Sequence, residues 1–224
     1  MKEEKKTALL IIDLQNDFVP GGTLAVKGGD KILGPIKRLI ALESVTKVVA
    51  TKDFHPEKHV SFASTHGVQL YAVVDLPGGS KQVMWPNHCV QGTGGTEFIP
   101  GVDEGSIDKV IYKGRDIHVD SYSGFFDNEK KHDTGLDQYL HDIGVEDLVI
   151  TGLATDYCVF WTVMDALDLG YSVSVIKEAT AGVDGSSDWN SALSYQEMKL
   201  RGVLVFESVE DYLSSLKIKE GASK

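Results

Sequence analysis

Cysteine is scarce: the 224-residue chain has two, Cys89 and Cys158. Two cysteines can close at most one disulfide, so no disulfide framework holds this fold, and a reducing compartment leaves both as thiols. Long apolar runs are missing as well. No stretch approaches the roughly 18 residues that a membrane-spanning helix needs. The first residues, Met1-Lys2-Glu3-Glu4-Lys5-Lys6, mix both charge signs ahead of a short apolar run, unlike a secretory leader. A cytoplasmic location is the expectation. Positive charge is in deficit, with 22 Lys and Arg against 33 Asp and Glu and a net charge of −11. Bulk electrostatics therefore disfavour nucleic acid and anionic membrane as partners. There is no internal repeat and no low-complexity tract. With 42% hydrophobic and 25% charged residues, the chain can bury a full core as one α/β domain over 1–224, its core at about 7–207.

Short apolar, β-branched runs alternate with amphipathic segments. Thr7 to Asp13 is almost continuously apolar, as in a parallel strand covered on both faces. Ile32, Leu33, Ile36, Leu39 and Ile40 recur at helical spacing and predict a helix over 30–43. Further strands are expected over 45–51, 108–113, 147–151, 171–176 and 203–206. Further helices are expected over 134–143, 156–169 and 191–200, the first two stopped by Gly144 and Gly170. The charged ends, 1–6 and 217–224, are expected to fray. The alternation predicts an α/β fold, doubly wound, with a mainly parallel six-stranded sheet and helices on both faces. Residues 54–107 break the rhythm. They form a long connection rich in Gly, Pro and His, and loops of that length are usually functional.

Open parallel sheets bind ligands beyond the carboxyl ends of their strands. Those ends deliver Asp13, then Asp53 and His55, then Lys113, then a turn that opens a helix at Cys158. An acid, a metal-type pair, a lysine and a thiol thus converge on one rim. A free cysteine is most often a core residue, but Cys158 falls in the first turn of the expected helix, where thiol pKa values drop and backbone N–H groups can hold an oxyanion. Cys89, in an irregular segment, lacks that placement. Asp13 reads either as a turn residue or as the base that activates a thiol; Lys113 reads either as a surface lysine or as the cation that holds Asp13 ionised and favours a thiolate. Asp53 and His55, at i and i+2 in an extended segment, point to one side and suit a divalent ion, with His88 the natural third ligand. His59 and His66 are lesser candidates. His118, His132 and His141 read as surface residues.

The motifs around these residues run in a recognisable order. They are Ile12-Asp13-Leu14-Gln15-Asn16-Asp17-Phe18, Thr51-Lys52-Asp53-Phe54-His55-Pro56, Trp85-Pro86-Asn87-His88-Cys89-Val90-Gln91-Gly92-Thr93, Tyr112-Lys113-Gly114, Asp120-Ser121-Tyr122-Ser123 and Gly152-Leu153-Ala154-Thr155-Asp156-Tyr157-Cys158-Val159. Over about residues 7–207 the chain resembles the nicotinamidase/pyrazinamidase group of isochorismatase-like cysteine hydrolases. The resemblance implies a catalytic triad of Asp13, Lys113 and Cys158 and metal ligands Asp53, His55 and His88. It also implies a pyridine ring sandwiched by Phe18 and Trp85, an oxyanion hole from the N–H groups of Ala154 and Cys158, and a cis Leu153–Ala154 peptide. Tyr157 stands at a variable position and is read as a pocket residue. Some members recruit a further side chain to the metal near His59, and Ile117-His118 departs from the usual pattern.

By that resemblance the expected substrate is the small molecule nicotinamide, hydrolysed to nicotinate and ammonia through a Cys158 thioester within pyridine nucleotide salvage, with pyrazinamide accepted too. One divalent ion is expected, zinc first, with manganese or iron compatible. Two rivals stand beside this reading. One is a related hydrolase of isochorismate, carbamoyl or ureido compounds, which generally lacks the Asp-x-His and Trp-Pro-x-His pairing. The other is a non-catalytic binding module, which has no need of Asp13, Lys113 and Cys158 together. Family members range from monomer to tetramer, so a homo-oligomer stays open.

Overall fold

The computed structural model describes residues 6–77 and 79–222. Its strands, in chain order, are β1 (Lys6–Ile12), β2 (Val45–Asp53), β3 (Val73–Asp75), β4 (Lys81–Val83), β5 (Lys109–Lys113), β6 (Val145–Leu153), β7 (Ser172–Ala181) and β8 (Leu204–Phe206). Six of them form one sheet in the order β5-β2-β1-β6-β7-β8, and every pairing in it is parallel. β3 and β4 make a separate antiparallel hairpin.

Side chains on β1 alternate between two cores, as the two-residue strand period requires. Leu9 and Ile11 face a cluster shared with Ile36 and Leu39 of α1 (Leu33–Ile40). Ala8, Leu10 and Ile12 face the other side. After the short α2 (Ala63–His66), the remaining helices are α3 (Leu136–Asp142), α4 (Phe160–Asp168), α5 (Ser191–Leu200) and α6 (Val209–Ala222). α3, α4 and α5 cover the second face through Leu136, Leu140, Val163 and Met198, whereas α6 joins α1 on the first through Val209 and Tyr212. The fold is therefore doubly wound, as the alternation predicts. No helix among the described residues is long and apolar enough to cross a membrane.

Three features depart from the expectation. The segment from 217 to 222 is not frayed: α6 runs from Val209 to Ala222. Val209, Tyr212, Leu213 and Leu216 stand at helical spacing and pack on the first core, so burial of one face outweighs the charge of the other. Residues 1–5 lie outside the described part. β7 extends to Ala181, beyond 176, because β6 shifts register between Ile150 and Gly152 and then pairs again with Thr180 and Ala181. Within the long connection 54–107, the β3–β4 hairpin supplies regular structure that the Gly- and Pro-rich sequence hides.

β1 is flanked by β2 and β6, so the chain winds one way from it to β5 and the other way to β8. The crevice at such a reversal point is where this architecture binds ligands. Close approach at this point requires Gly152. Its φ is +108°, and it pairs with Ile12, whose backbone nitrogen and oxygen a side-chain methyl would strike. Gly152→Ala is expected to lower stability by at least about 2 kcal/mol, through the left-handed backbone and the collision together. A urea melt giving an unchanged midpoint would overturn this reading of the crevice.

Candidate active site

Register sets the first contacts. Asp53 and Lys113 are partners at the carboxyl ends of β2 and β5. The Lys113 side chain is fully buried, with Nζ 2.9 Å from Asp13 Oδ2, 2.5 Å from Asp53 Oδ1, 2.9 Å from the Ser121 carbonyl and 3.4 Å from Cys158 Sγ. Asp13 follows β1 with φ +47°. Thr51 holds it by donating its hydroxyl to Oδ1 at 2.6 Å and accepting the Asp13 N–H at 3.1 Å. A carboxylate oxygen of Asp13, one of Asp53 and the Cys158 sulfur all lie within 4.8 Å of one another. Gln15 fixes the spacing between the two acids: its amide donates to the Asp53 carbonyl and accepts the Asp53 N–H, both at 2.8 Å.

β6 leads through a cis Leu153–Ala154 peptide into a π-helical turn, Thr155–Val159. The expected helix over 156–169 thus divides. Cys158 sits in the wide turn, closed by the Val159 N–H on the Ala154 carbonyl at 3.1 Å, and α4 begins only at Phe160. Such turns recur at functional sites.

Electrostatics correct a second expectation. Neither helix position nor Lys113 lowers the Cys158 pKa. Burial pushes the thiol well above its ordinary value, more than Lys113 offsets, and Asp13 and Asp53 add to the rise. Cys158 is therefore a neutral thiol at pH 7 and needs a base. Burial also pushes the Asp13 carboxyl up to about 6, against the pull of Lys113. Burial opposes the Lys113 charge too, but Asp13 and Asp53 together hold it protonated. At Asp53 the outcome reverses: burial is outweighed by Lys113 and His55, which hold the carboxyl below the usual range.

Asp53 turns its other oxygen, Oδ2, to two imidazoles, 3.5 Å from His55 Nε2 and 3.8 Å from His88 Nε2. His55 Nδ1 lies 2.8 Å from the Gly114 carbonyl and His88 Nδ1 2.7 Å from the Pro86 carbonyl. A carbonyl only accepts, so both Nδ1 atoms carry protons and both Nε2 atoms offer lone pairs toward Asp53. That is the arrangement of metal-ligating histidines oriented from behind by a backbone carbonyl. Burial, with His55 alongside, pushes His88 down to about 4, leaving it in the neutral, ligating form. Burial disfavours a charge on His55, yet Asp53 raises its pKa, so the cluster draws in positive charge. The donor set fits a divalent ion.

His59 plays a different part. It stacks on His55 with ring centroids 4.1 Å apart. Its Nδ1 receives the Ser61 N–H at 3.4 Å and the Ser61 hydroxyl at 2.8 Å, which turns the protonated Nε2 to the Val119 carbonyl at 3.4 Å. Both nitrogens are thus engaged inside the protein, and His59 supports the ligand ring. His66 is exposed, as are His118, His132 and His141. Cys89 is buried beside His88; its N–H donates to Asp17 Oδ2 at 2.7 Å, which pins the turn.

Both groups open on one cavity of about 390 Å³ of empty space, lined at its reacting ends by Cys158, Ala154, Asp53 and His88. Phe18, Trp85 and Tyr157 lie on its walls, as expected. Sequence reasoning gave no part to Leu24, Val26 and Val183, which complete an apolar wall, nor to Asp120 and Tyr122. The last two stand in a quoted motif, but their partners Gln82 and Trp85 lie 37–40 residues away.

Comparison with known proteins agrees with this geometry. Residues 7–209 match the family model described as the isochorismatase domain. The chain is 44% identical to a nicotinamidase of Escherichia coli (strain K12) over 201 residues, 89% of this chain and 93% of the relative. The solved structure of an Acinetobacter baumanii nicotinamidase/pyrazinamidase superposes with a TM-score of 0.86 at 38% identity, covering 93% of this chain and 99% of that one. A pyrazinamidase of Pyrococcus horikoshii, solved in complex with zinc, gives 0.72 at 34% identity over 89% of this chain and 98% of its own.

Metal binding by the Asp53 cluster has a direct check. Gly114 has φ +62°, and a methyl there would press on the ring of His55, with Nδ1 at 2.6 Å. Gly114→Ala is expected to weaken metal retention about 10- to 100-fold in a chelator competition, and His88→Ala to lose the ion outright while staying folded. Wild-type metal affinity in both variants would remove these residues from the site.

Proposed function

The chain belongs to the isochorismatase domain family, and from that premise we propose that it is a metal-dependent nicotinamidase, which hydrolyses nicotinamide to nicotinate and ammonia. One observation carries the reading. A buried carboxylate–lysine–thiol group and an Asp-His-His cluster stand at the ends of one aromatic-walled cavity, joined by a single lysine. Only an amide whose ring bears a ligating nitrogen uses both ends. Isochorismate, carbamoyl and ureido compounds give the cluster nothing to hold, and a binding module has no use for the buried ammonium.

Asp13, Lys113 and Cys158 are the catalytic residues in this proposal. Asp13 takes the Cys158 proton as the sulfur attacks the carboxamide carbon. A thiol this far above pH 7 must be deprotonated during attack, and a carboxylate near pKa 6 is matched to that task. Lys113 keeps Asp13 in place and faces the sulfur as its charge develops. The N–H groups of Ala154 and Cys158 receive the oxyanion, an interaction worth about 3 kcal/mol per donor in other acyl-transfer enzymes. Asp13 returns the proton to departing ammonia, leaving an acyl-thioester. It then takes a proton from water, which attacks the thioester and releases nicotinate and the Cys158 thiol. Asp53, His55 and His88 would hold one divalent ion, zinc by the chemistry of the donor set and the zinc-bound relative; it supplies a Lewis-acid anchor for the ring nitrogen. Phe18, Trp85 and Tyr157 enclose the ring. Pyrazinamide, with a ring nitrogen in the same relation to its carboxamide, is a second substrate. A cytoplasmic location suits two free thiols, and the products suit pyridine nucleotide salvage.

Ammonia release from nicotinamide is expected from the purified chain and from Cys89→Ala. In Cys158→Ala it should fall on the order of 10⁴-fold or more, with metal content intact. Turnover surviving in that variant would sink the nucleophile assignment. The pH profile follows from Asp13, which must be ionised to act. kcat/KM should hold level above pH 7 and fall tenfold per unit once pH drops below about 6, its limb set by the raised Asp13 pKa. A limb near pH 4 would point to an ordinary carboxyl.

A further inference from the structure

Tyr122 lines the cavity but belongs to neither reacting end. Its oxygen lies 3.1 Å from Trp85 Nε1 and 3.2 Å from Gln82 Nε2. Both neighbours are donors that cannot accept. Gln82 Nε2 also lies 2.9 Å from Asp120 Oδ2 and 3.0 Å from the Val83 carbonyl, so Asp120 fixes the amide from the far side. The hydroxyl is thus tethered through its oxygen, and its own proton meets no acceptor among the described residues. Burial, with Asp120 nearby, keeps the phenol protonated, so it faces the cavity as a donor. An indole N–H points along the plane of its ring, which puts its acceptor at the rim of the Trp85 plane. A ring stacked on Trp85 would meet the Tyr122 hydroxyl at its edge.

We propose that Tyr122 is a specificity-determining residue whose hydroxyl donates a hydrogen bond to an acceptor on the ring edge of the bound carboxamide, favouring diazine over pyridine carboxamides. A pyridine carboxamide uses its single ring nitrogen at the Asp53 cluster and offers carbon elsewhere, leaving the donor unpaired. A diazine presents a second nitrogen. Sites built to pair a substrate polar group discriminate against analogues that lack it. This rests on the nicotinamidase reading and adds the ring-edge contact to it.

The experiment compares kcat/KM on pyrazinamide and nicotinamide for the wild type, Tyr122→Phe and Gln82→Leu. In Tyr122→Phe the pyrazinamide-to-nicotinamide ratio should fall about fivefold to tenfold, as loss of one neutral hydrogen bond implies, and the fall should lie in KM. Gln82→Leu leaves the hydroxyl and its indole donor in place and should keep the wild-type ratio. A ratio unchanged in Tyr122→Phe, or lowered equally in Gln82→Leu, overturns the proposal while nicotinamide turnover stands. No nicotinamide turnover by the wild type overturns both readings together. A measurement on the unaltered protein guards against a variant that does not fold. Among diazine carboxamides with the second nitrogen at different edge positions, one isomer should exceed the others at least fivefold in kcat/KM. A flat series overturns the proposal.

Discussion

The site depends on one buried ammonium. Lys113 Nζ touches Asp13, Asp53, the Ser121 carbonyl and the Cys158 sulfur, and its side chain has no contact with solvent. Each carboxylate alone would be costly to bury, and removing one partner of such a pair typically costs about 3–5 kcal/mol. Sharing one cation between two acids couples the two ends of the cavity. Asp13 is the base for the thiol, whereas Asp53 faces the imidazoles with its second oxygen. Neither can move without disturbing the other, and together they leave one negative charge beyond what Lys113 offsets. His55, drawn to a higher pKa, shows where the compensating positive charge settles.

The unequal response of the two acids follows from their neighbours. Asp53 has Lys113 and two imidazoles beside it, so attraction overcomes burial and it stays ionised. Asp13 has Lys113 and one hydroxyl, and its nearest other charge is a like one, so burial prevails. Two carboxylates a few ångströms apart are thereby separated into a fixed ligand and a proton carrier. The same burial keeps Cys158 as a thiol, protected until a substrate arrives. Function here arises from desolvation as much as from any single contact.

Rigid and adaptable parts divide the work. The sheet supplies Asp13, Asp53, Lys113 and the Cys158 turn at adjacent strand ends, held by register and by the Gln15 clamp. The connection between β2 and β5 supplies His88 and Trp85, and it is tied down by Asp17 at Cys89 and by the carbonyl of Pro86 on His88. The chemistry therefore rests on the most buried part of the fold, and the cavity walls on its loops, where ring recognition can vary without disturbing the triad.

Much was legible in the chain itself. Continuous apolar runs marked the central strands, because a strand covered on both faces cannot alternate. Their carboxyl ends named Asp13, Asp53, Lys113 and the Cys158 turn, since parallel architecture brings those ends to one rim. The motifs, at their spacing, carried the family. Other matters were decided only by packing. Cys158 was expected at an α-helix N-terminus with a lowered pKa; instead a π turn carries it, and burial raises it, because desolvation depends on neighbours distant in sequence. The neutral tautomers of His55 and His88 are set by the carbonyls of Gly114 and Pro86. The support role of His59 is set by Ser61 and Val119. The donor at Tyr122 exists because Trp85 and Gln82 meet it across the cavity wall. Sequence determines which groups are present and which strand ends deliver them. Tertiary structure decides their protonation, because that depends on what excludes water around each one.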